Sequence, residues 1–253
     1  EVKQTLIRAD EQDIVEMFTN DAGNEHTMTF VNKIAGPVAV QLEFVDASNV
    51  ASEPPLPLRT VLGGFEQRLV AKAYPADRYQ NSRFGLRYTA APGSPDARHD
   101  DSVSYSVPFA NGTKFVLAQG FNGPFTHTGA QSRYAVDLGV DEGTPVLCAR
   151  EGTVMMVEED FFGAGLDKER FGSRANHVRV LHDDGSMGVY AHLQLESAQV
   201  RPGQRIRRGQ VIGLSGNTGF STGPHLHFAV QVNRDMELAS IPFRFENDAI
   251  PLQ

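Results

Sequence analysis

The sequence predicts a mainly β protein with two domains, and three observations lead to this fold class. Helical periodicity is weak along the chain, whereas alternating apolar and polar runs separated by Gly, Pro, Asn and Asp recur throughout. A polar stretch rich in Pro, Gly and Asp at residues 91–101 interrupts these runs. The chain has 253 residues, which is enough for two cores. We therefore expect an N-terminal domain at residues 1–100 and a C-terminal domain at residues 101–253.

The N-terminal domain is predicted to be an immunoglobulin-like β-sandwich. Strand-like runs in it, with alternation and β-branched or aromatic content, are residues 26–31, 38–45, 58–62, 67–73 and 84–88. Several short strands within about 100 residues are typical of such sandwiches. This part of the sequence shows no catalytic spacing, so we expect a scaffolding or recognition role for it.

The C-terminal domain is also predicted to be rich in strands, with tight Gly-bearing turns between them. The candidate strands are residues 134–140, 144–149, 152–157, 177–181, 188–195 and 225–232. A long Gly- and charge-rich segment at residues 160–175 separates two of them. Loops of this length in compact domains commonly line binding grooves, so we expect this segment to border a functional site.

Composition excludes several classes of function. A formal net charge of −8 argues against broad binding to nucleic acid, which needs clustered Lys and Arg. No run reaches the roughly 18 apolar residues of a membrane helix, so no transmembrane segment is expected in this chain. The single cysteine, Cys148, forbids an intramolecular disulfide. Its apolar neighbours predict a small buried residue rather than a reactive thiol.

The strongest functional signal is a pair of histidines on one predicted strand. Side chains alternate between the two faces of a strand, so His225 and His227 share one face. Leu226 and Phe228 share the other face, which has the character of a core. Two neighbouring imidazoles on a rigid element are suited to metal binding or to proton transfer.

Three further residues are candidates for the same site. Asp137 lies within an apolar strand, where burial of a carboxylate is costly unless a positive group pairs with it. His192 lies in a strand-like run, and alternation places it on the same face as Tyr190. His127 lies in a Gly-bearing loop. Taken singly, each has a simpler explanation. Asp137 could form a local ion pair or cap a loop, His192 could be a structural histidine, and His127 could be a surface loop residue.

In this order, the residues resemble the signature of the lysostaphin-like, or LytM-type, zinc endopeptidases. That signature has an early His, an Asp soon after it, a Tyr-Ala-His-Leu-like strand and a late His-x-His. The chain supplies these elements as His127, Asp137, Tyr190-Ala191-His192-Leu193 and His225-Leu226-His227. The sequences at residues 143–146 and 216–224 are similar as well, and the resemblance covers residues 105–235. The first His and the Asp are further apart than in many members, a spacing found in one branch of the family.

The resemblance implies a fold and a cofactor for the C-terminal domain. The implied fold is an antiparallel β-sheet peptidase domain with an open groove, whose walls we expect at residues 160–175 and 216–223. The implied cofactor is Zn²⁺, bound by His127, Asp137 and His227. Two neutral nitrogens and one carboxylate leave a fourth position for water.

The resemblance also implies catalytic residues and a substrate. His192 and His225 would handle protons or stabilise the developing oxyanion, and Tyr190 would bind substrate through a hydrogen bond to the tetrahedral intermediate. The implied reaction is hydrolysis of peptide bonds in the stem or cross-link peptides of bacterial peptidoglycan. We accordingly expect peptidoglycan peptides as partners and a periplasmic or secreted location, with a signal peptide already removed.

Two alternative interpretations compete with this one. A catalytically inactive LytM-type activator or scaffold of other cell-wall hydrolases would lack zinc ligands, whereas all the signature positions are filled here. Residues 200–213 resemble a biotinyl or lipoyl carrier module, which needs a lysine at an exposed hairpin tip. The lysines of the C-terminal part, Lys114 and Lys168, do not lie in such a hairpin near this stretch. We therefore predict an active zinc endopeptidase.

Overall fold

Two compact units make up the computed structural model, which describes residues 14–172, 174–250 and 252. Of the described residues, those up to Pro95 together with Asp235–Glu237 belong to the first unit, and those of Asp96–Arg234 and from Leu238 onward belong to the second. Strands dominate both units, so the predicted mainly β class is confirmed.

The N-terminal unit forms two antiparallel sheets. Its strands are β1 (Val15–Ala22), β2 (Glu25–Asn32), β3 (Val38–Ser48), β4 (Val50–Glu53), β5 (Leu58–Leu62), β6 (Gln67–Pro75) and β7 (Arg83–Pro92). One sheet has the order β1-β2-β6-β4 and the other the order β5-β3-β7. Every strand predicted in this part is present. The predicted strands include neither β1 nor β4, and the four residues of β4 include no large apolar side chain.

Aromatic side chains join the two sheets of this unit. Phe30 of β2 and Tyr88 of β7 are both buried, and their ring centroids lie 5.3 Å apart in an edge-to-face contact. His26 of β2 and Phe84 of β7 make a similar contact at 5.2 Å. Because β2 and β7 belong to different sheets, these contacts place the core of the unit between the sheets.

The C-terminal unit contains short strands and little helix. Its strands are β8 (Val116–Gln119), β9 (Ala135–Gly139), β10 (Pro145–Leu147), β11 (Gly152–Glu158), β12 (Ala164–Gly165), β13 (His177–Leu181), β14 (Met187–Ala191), β15 (Arg205–Ile206), β16 (Val211–Leu214), β17 (Gly219–Phe220), β18 (His225–Arg234) and β19 (Glu237–Ser240). A one-turn helix, α1 (Lys168–Phe171), follows β12, and a 3₁₀ turn spans Glu246–Asp248.

One antiparallel sheet organises this unit and positions the histidines. Its order is β15-β11-β13-β14-β18-β9-β8, with β19 paired to β18, and two small pairs, β10 with β16 and β12 with β17, flank it. On one face, Phe228 of β18 is fully buried against the rings of Tyr105, Tyr190 and Phe243. The residues that alternate with Phe228 along β18 point to the opposite face, which is where the candidate site lies.

The six strands predicted in the C-terminal part are all present, but three of them, β9, β10 and β14, end earlier or begin later than predicted. The strand expected at residues 188–195 ends at Ala191, because His192 has a φ of 63° and leaves the β region. The long segment at residues 160–175 is not wholly irregular, since it contains β12 and α1. Because β12 pairs in parallel with β17, the two segments expected to border a groove are hydrogen-bonded to each other.

The structure bears on two predictions made from composition, one about Cys148 and one about transmembrane helices. Cys148 is fully buried, its Sγ donates to the carbonyl of Arg150 at 2.8 Å, and burial raises its pKa to about 11. The prediction of a small buried residue at Cys148 is therefore confirmed. Within the described part of the chain, no helix combines the length and the apolar character needed to cross a membrane.

Candidate active site

Three adjacent strands, β9, β18 and β14, bring candidate residues together. In the register of β9 and β18, Asp137 lies opposite His227, and in the register of β18 and β14, His227 lies opposite Ala191. Directly opposed residues share a face of the sheet. Asp137 and His227 therefore lie on the face opposite to Leu226 and Phe228, as strand alternation predicts.

His127, Asp137 and His227 form a compact set of metal-capable donors. One ligand atom from each lies within 4.8 Å of the others. Oδ1 of Asp137 is 2.8 Å from Nδ1 of His227 and 3.2 Å from Nε2 of His127. A tetrahedral ion with bonds of about 2.0–2.1 Å holds its ligand atoms roughly 3.3 Å apart, so small side-chain adjustments would close this set around one ion.

The orientation of His127 aims its Nε2 at the carboxylate. Its Nδ1 lies 2.8 Å from the carbonyl oxygen of Gly120, and because a carbonyl only accepts, Nδ1 carries the proton. The side chain is wholly buried, so the ring has little freedom to turn away. A neutral His127 would then present the lone pair of Nε2 to Asp137. That arrangement is repulsive unless a proton or a cation lies between the two groups.

The ionisation of these side chains indicates a charged carboxylate that needs a positive partner. Burial raises the pKa of Asp137, but hydrogen bonds from His127 and His227 outweigh it and leave the pKa well below its usual range. Burial lowers the pKa of His127, but the bond to Asp137 outweighs it and the net pKa is raised. The arrangement therefore favours a positive charge between these groups, supplied either by a proton or by a divalent cation that replaces it. Two imidazoles and one carboxylate are a donor set that fits catalytic zinc.

His225 stands beside the carboxylate on the same strand face. Its Nδ1 donates to the carbonyl oxygen of Gly223 at 2.8 Å and lies 3.3 Å from Oγ of Ser221. Its Nε2 is 3.7 Å from Oδ1 of Asp137, which is beyond hydrogen-bond distance. The ring is thus held by backbone at one nitrogen and faces the donor cluster with the other.

His192 completes the cluster from the end of β14. Its Nδ1 donates to the carbonyl oxygen of Thr218 at 2.6 Å. Its ring centroid lies 4.5 Å from that of His225 and 5.9 Å from that of His227. Burial and the charges of these two histidines lower the pKa of His192 to about 3. His192 is therefore neutral at physiological pH, with its lone pair on Nε2.

The predicted role of Tyr190 in substrate binding is wrong. The side chain is fully buried, and its ring centroid lies 5.0 Å from that of Phe228 in the core. Its hydroxyl accepts a hydrogen bond from the backbone N–H of Ala149 at 2.7 Å. Alternation placed Tyr190 with His192 on the assumption of one continuous strand. The left-handed backbone at His192 breaks that alternation and sends the two side chains to different faces.

One residue of the site, Gln119, is not revealed by the sequence pattern. It lies at the end of β8 opposite Asp137, and its Nε2 donates to Oδ2 of Asp137 at 3.0 Å. The strand has only four residues, and its register shifts between Leu117 and Gln119, so no alternation marks it. No signal in the single sequence distinguishes this glutamine from a surface residue.

Comparison with known proteins identifies the domain that holds this cluster. The sequence profile of Peptidase family M23 matches residues 131–237, which include the site residues except Gln119 and His127. This chain carries a peptidase family M23 domain. The M23 domain is similar to an uncharacterized metalloprotease of Haemophilus influenzae, with 40% identity over 98 residues. That match covers 39% of this chain and 18% of the relative.

Other relatives of the M23 domain have more informative names. The peptidoglycan DD-endopeptidase ShyA of Vibrio cholerae is 38% identical over 96 residues, which cover 38% of this chain and 19% of ShyA. The solved catalytic domain of the antimicrobial peptidase lysostaphin from Staphylococcus simulans is 31% identical, covering 49% of this chain and 83% of that domain with a TM-score of 0.36. The family match and the lysostaphin of Staphylococcus simulans, which is 33% identical over 100 residues covering 40% of this chain and 18% of lysostaphin, confirm the predicted relationship to lysostaphin-like enzymes. The chain spans less than a fifth of the length of these curated relatives.

Proposed function

We propose that the C-terminal unit is a zinc-dependent endopeptidase that hydrolyses peptide bonds in the stem or cross-link peptides of bacterial peptidoglycan. The observation that carries this proposal is the cluster of His127, Asp137 and His227 with two further imidazoles, His192 and His225, beside it. The relative ShyA is named as a peptidoglycan DD-endopeptidase, which supports this substrate class.

His127, Asp137 and His227 would hold the zinc ion. When bound, the ion would acidify a water molecule and polarise the carbonyl of the scissile peptide bond. The three side chains are already buried or half-buried and hydrogen-bonded to one another. The fold therefore holds the three donors together, which limits the conformational entropy lost when an ion binds. The bond from His127 to the Gly120 carbonyl keeps Nε2 available for the ion.

His192 and His225 would manage the protons of the reaction. His192 is neutral and has committed its Nδ1 proton to Thr218, so its Nε2 accepts a hydrogen bond and orients the attacking water. His225 has likewise committed Nδ1 to Gly223, and its Nε2 faces Asp137 across 3.7 Å. From that Nε2, His225 would pass a proton to the leaving amine.

Two segments would border the peptide-binding groove. Residues 160–175 and 216–223 meet through the β12–β17 pair, in which Gly165 lies opposite Phe220. The ring of Phe220 stacks on Phe125, with centroids 6.2 Å apart and an interplanar angle of 20°. Phe125 is 61% exposed and lies two residues before His127. This aromatic pair therefore borders the donor cluster and offers an apolar surface to a substrate peptide.

We also propose a division of the chain into two domains and a location for the protein. We assign residues 1–100 to an immunoglobulin-like sandwich domain and residues 101–253 to the peptidase domain. The two antiparallel sheets joined by Phe30 and Tyr88 support the first assignment. A periplasmic or secreted location follows from the substrate, because peptidoglycan lies outside the cytoplasm.

The proposal is tested by measuring bound zinc and by digesting purified peptidoglycan, with products identified by mass. His192→Ala is expected to keep zinc, because His192 lies beside the three proposed ligands and is not one of them. It is expected to lose activity, because the Nε2 that would orient the attacking water is removed. His227→Ala is expected to lose both zinc and activity. His26→Ala, in the N-terminal unit, serves as the matched control and should retain both.

Three results would contradict the proposal. They are full activity in either site variant, activity that survives removal of zinc by a chelator, and the absence of peptide products from digested peptidoglycan. A wild-type protein that binds no zinc and releases no products would instead support the inactive activator.

A further inference from the structure

Gln119 contacts both halves of the proposed metal centre through a single side-chain amide. On one side it bonds the carboxylate of Asp137, and on the other it bonds the loop that carries His127. We propose that Gln119 is a positioning residue, which presents one oxygen of Asp137 to the zinc ion and holds the His127 loop in place. This inference rests on the proposed zinc function.

The two oxygens of Asp137 have different partners. Oδ1 lies between the imidazoles, 3.2 Å from Nε2 of His127 and 2.8 Å from Nδ1 of His227. Oδ2 accepts a hydrogen bond from Nε2 of Gln119 at 3.0 Å. The amide thus bonds the carboxylate oxygen other than the one that the two imidazoles share. With Oδ2 held, Asp137 offers one oxygen to the metal, and a coordination position stays open for water.

The other contacts of Gln119 fix the loop before His127. Its Oε1 accepts from the backbone N–H of Phe125 at 3.1 Å and from that of Thr126 at 3.3 Å. Its Nε2 also donates to Oγ1 of Thr126 at 2.6 Å. Thr126 directly precedes His127, so these bonds set the path of the backbone that delivers the buried imidazole.

A glutamine is required because both hydrogens of Nε2 and both lone pairs of Oε1 are in use. A reversed amide would direct its oxygen at the Asp137 carboxylate and its NH₂ at two backbone N–H groups. The partners therefore determine the orientation of the amide. Gly123 leaves room for this side chain, since a Cβ there would lie 2.0 Å from Cγ of Gln119.

Two variants remove the positioning in different ways. Gln119→Met keeps the length of the side chain but loses every hydrogen bond of the amide. Gly123→Ala keeps the amide and displaces it by collision with the new Cβ. The matched control is Gln204→Met, because Gln204 is also half-buried and accepts a backbone N–H bond, from Arg201 at 3.1 Å, in the same unit.

The dissociation constant for Zn²⁺ is measured by competition with a chromogenic chelator, and thermal unfolding of the metal-free proteins is followed in parallel. We expect Gln119→Met and Gly123→Ala to bind zinc about 10–100-fold more weakly than wild type, the usual effect of removing a hydrogen bond to a metal ligand. Gln204→Met should bind zinc as wild type does. The absorption spectrum of the Co²⁺-loaded protein should change in the two site variants only, because the coordination of Asp137 changes.

The possible failures are distinguishable. If wild type binds no zinc, the proposed function is overturned and this inference with it. If wild type binds zinc and the two site variants match Gln204→Met in affinity and in Co²⁺ spectrum, the positioning role alone is overturned. A fall in unfolding temperature with unchanged zinc affinity would show that Gln119 is only a structural residue. That result would also overturn the positioning role.

Discussion

Tyr190 and His192 are two residues apart in the sequence, yet their side chains lie on opposite faces of the C-terminal sheet. Tyr190 packs against Phe228 in the core, whereas His192 packs against His225 and His227 on the face of the donor cluster. The φ of 63° at His192 separates them, because it ends the strand at Ala191. Few non-glycine residues adopt this conformation, and the bond from His192 to Thr218 helps to hold it.

The burial of Tyr190 predicts that Tyr190→Phe affects stability and not catalysis. The change leaves the buried N–H of Ala149 without its acceptor, which should lower the free energy of unfolding by about 1–3 kcal/mol. The kinetic constants for peptide hydrolysis should stay at wild-type values. Tyr79→Phe, at a residue that is 82% exposed, is the control and should change neither quantity. A fall in kcat without loss of stability would contradict this role and would indicate that Tyr190 acts in catalysis.

An ion pair next to the core predicts that two neighbouring aspartates, Asp183 and Asp184, contribute very different amounts to the free energy of unfolding. Asp184 accepts from Arg150 at 2.8 Å, and each side chain is 10% exposed. Burial raises the pKa of Asp184, but bonds from Ser186 and Arg150 outweigh it and lower the pKa below its usual value. Asp183 pairs with Arg205 at 2.7 Å on the surface, where the carboxylate is 73% exposed.

Asp184→Asn should therefore lower the free energy of unfolding by about 3–5 kcal/mol, since it leaves the Arg150 charge buried without its counter-charge. Asp183→Asn, the matched control, should cost no more than about 1 kcal/mol, because solvent screens the exposed pair. Urea denaturation of both variants measures the difference. Equal losses in the two variants would refute the importance of burial for this pair.

The buried His182 predicts a loss of stability in mild acid. Burial lowers its pKa to about 4, whereas an unfolded chain protonates histidine near pH 6.5. Between these two values the unfolded state binds a proton that the folded state does not bind. The free energy of unfolding therefore falls as the pH drops from about 6.5 towards about 4, by on the order of 3 kcal/mol for this group.

His182→Asn tests this pH dependence. Asparagine places an N–H where Nδ1 of His182 donates to the carbonyl of Glu151, but it does not titrate in this range. The variant should lose less stability than wild type between about pH 7 and about pH 4.5, measured by urea denaturation of the metal-free protein. Part of the dependence should remain, because burial also lowers the pKa of His177 to about 4. An unchanged pH dependence would exclude His182 as its source.

Short-range patterns predicted much of the fold and part of the candidate site. Alternation along β18 correctly separated His225 and His227 from Leu226 and Phe228, because one continuous strand determines all four directions. The same rule failed at Tyr190, because the chain left the strand at the next residue but one. Residues 200–213 resemble a carrier module because they form a similar tight turn. The turn lies between β15 and β16.

By itself, the sequence determined the mainly β class, most of the strands, and the set of polar residues from which a metal centre could be built. These properties depend on residue type and on spacing within one element. Only the tertiary structure decided that Asp137 lies opposite His227, that His127 reaches the same carboxylate, and that Gln119 joins the two. These contacts link residues on separate elements, and strand register and loop closure bring them together, which no local pattern encodes.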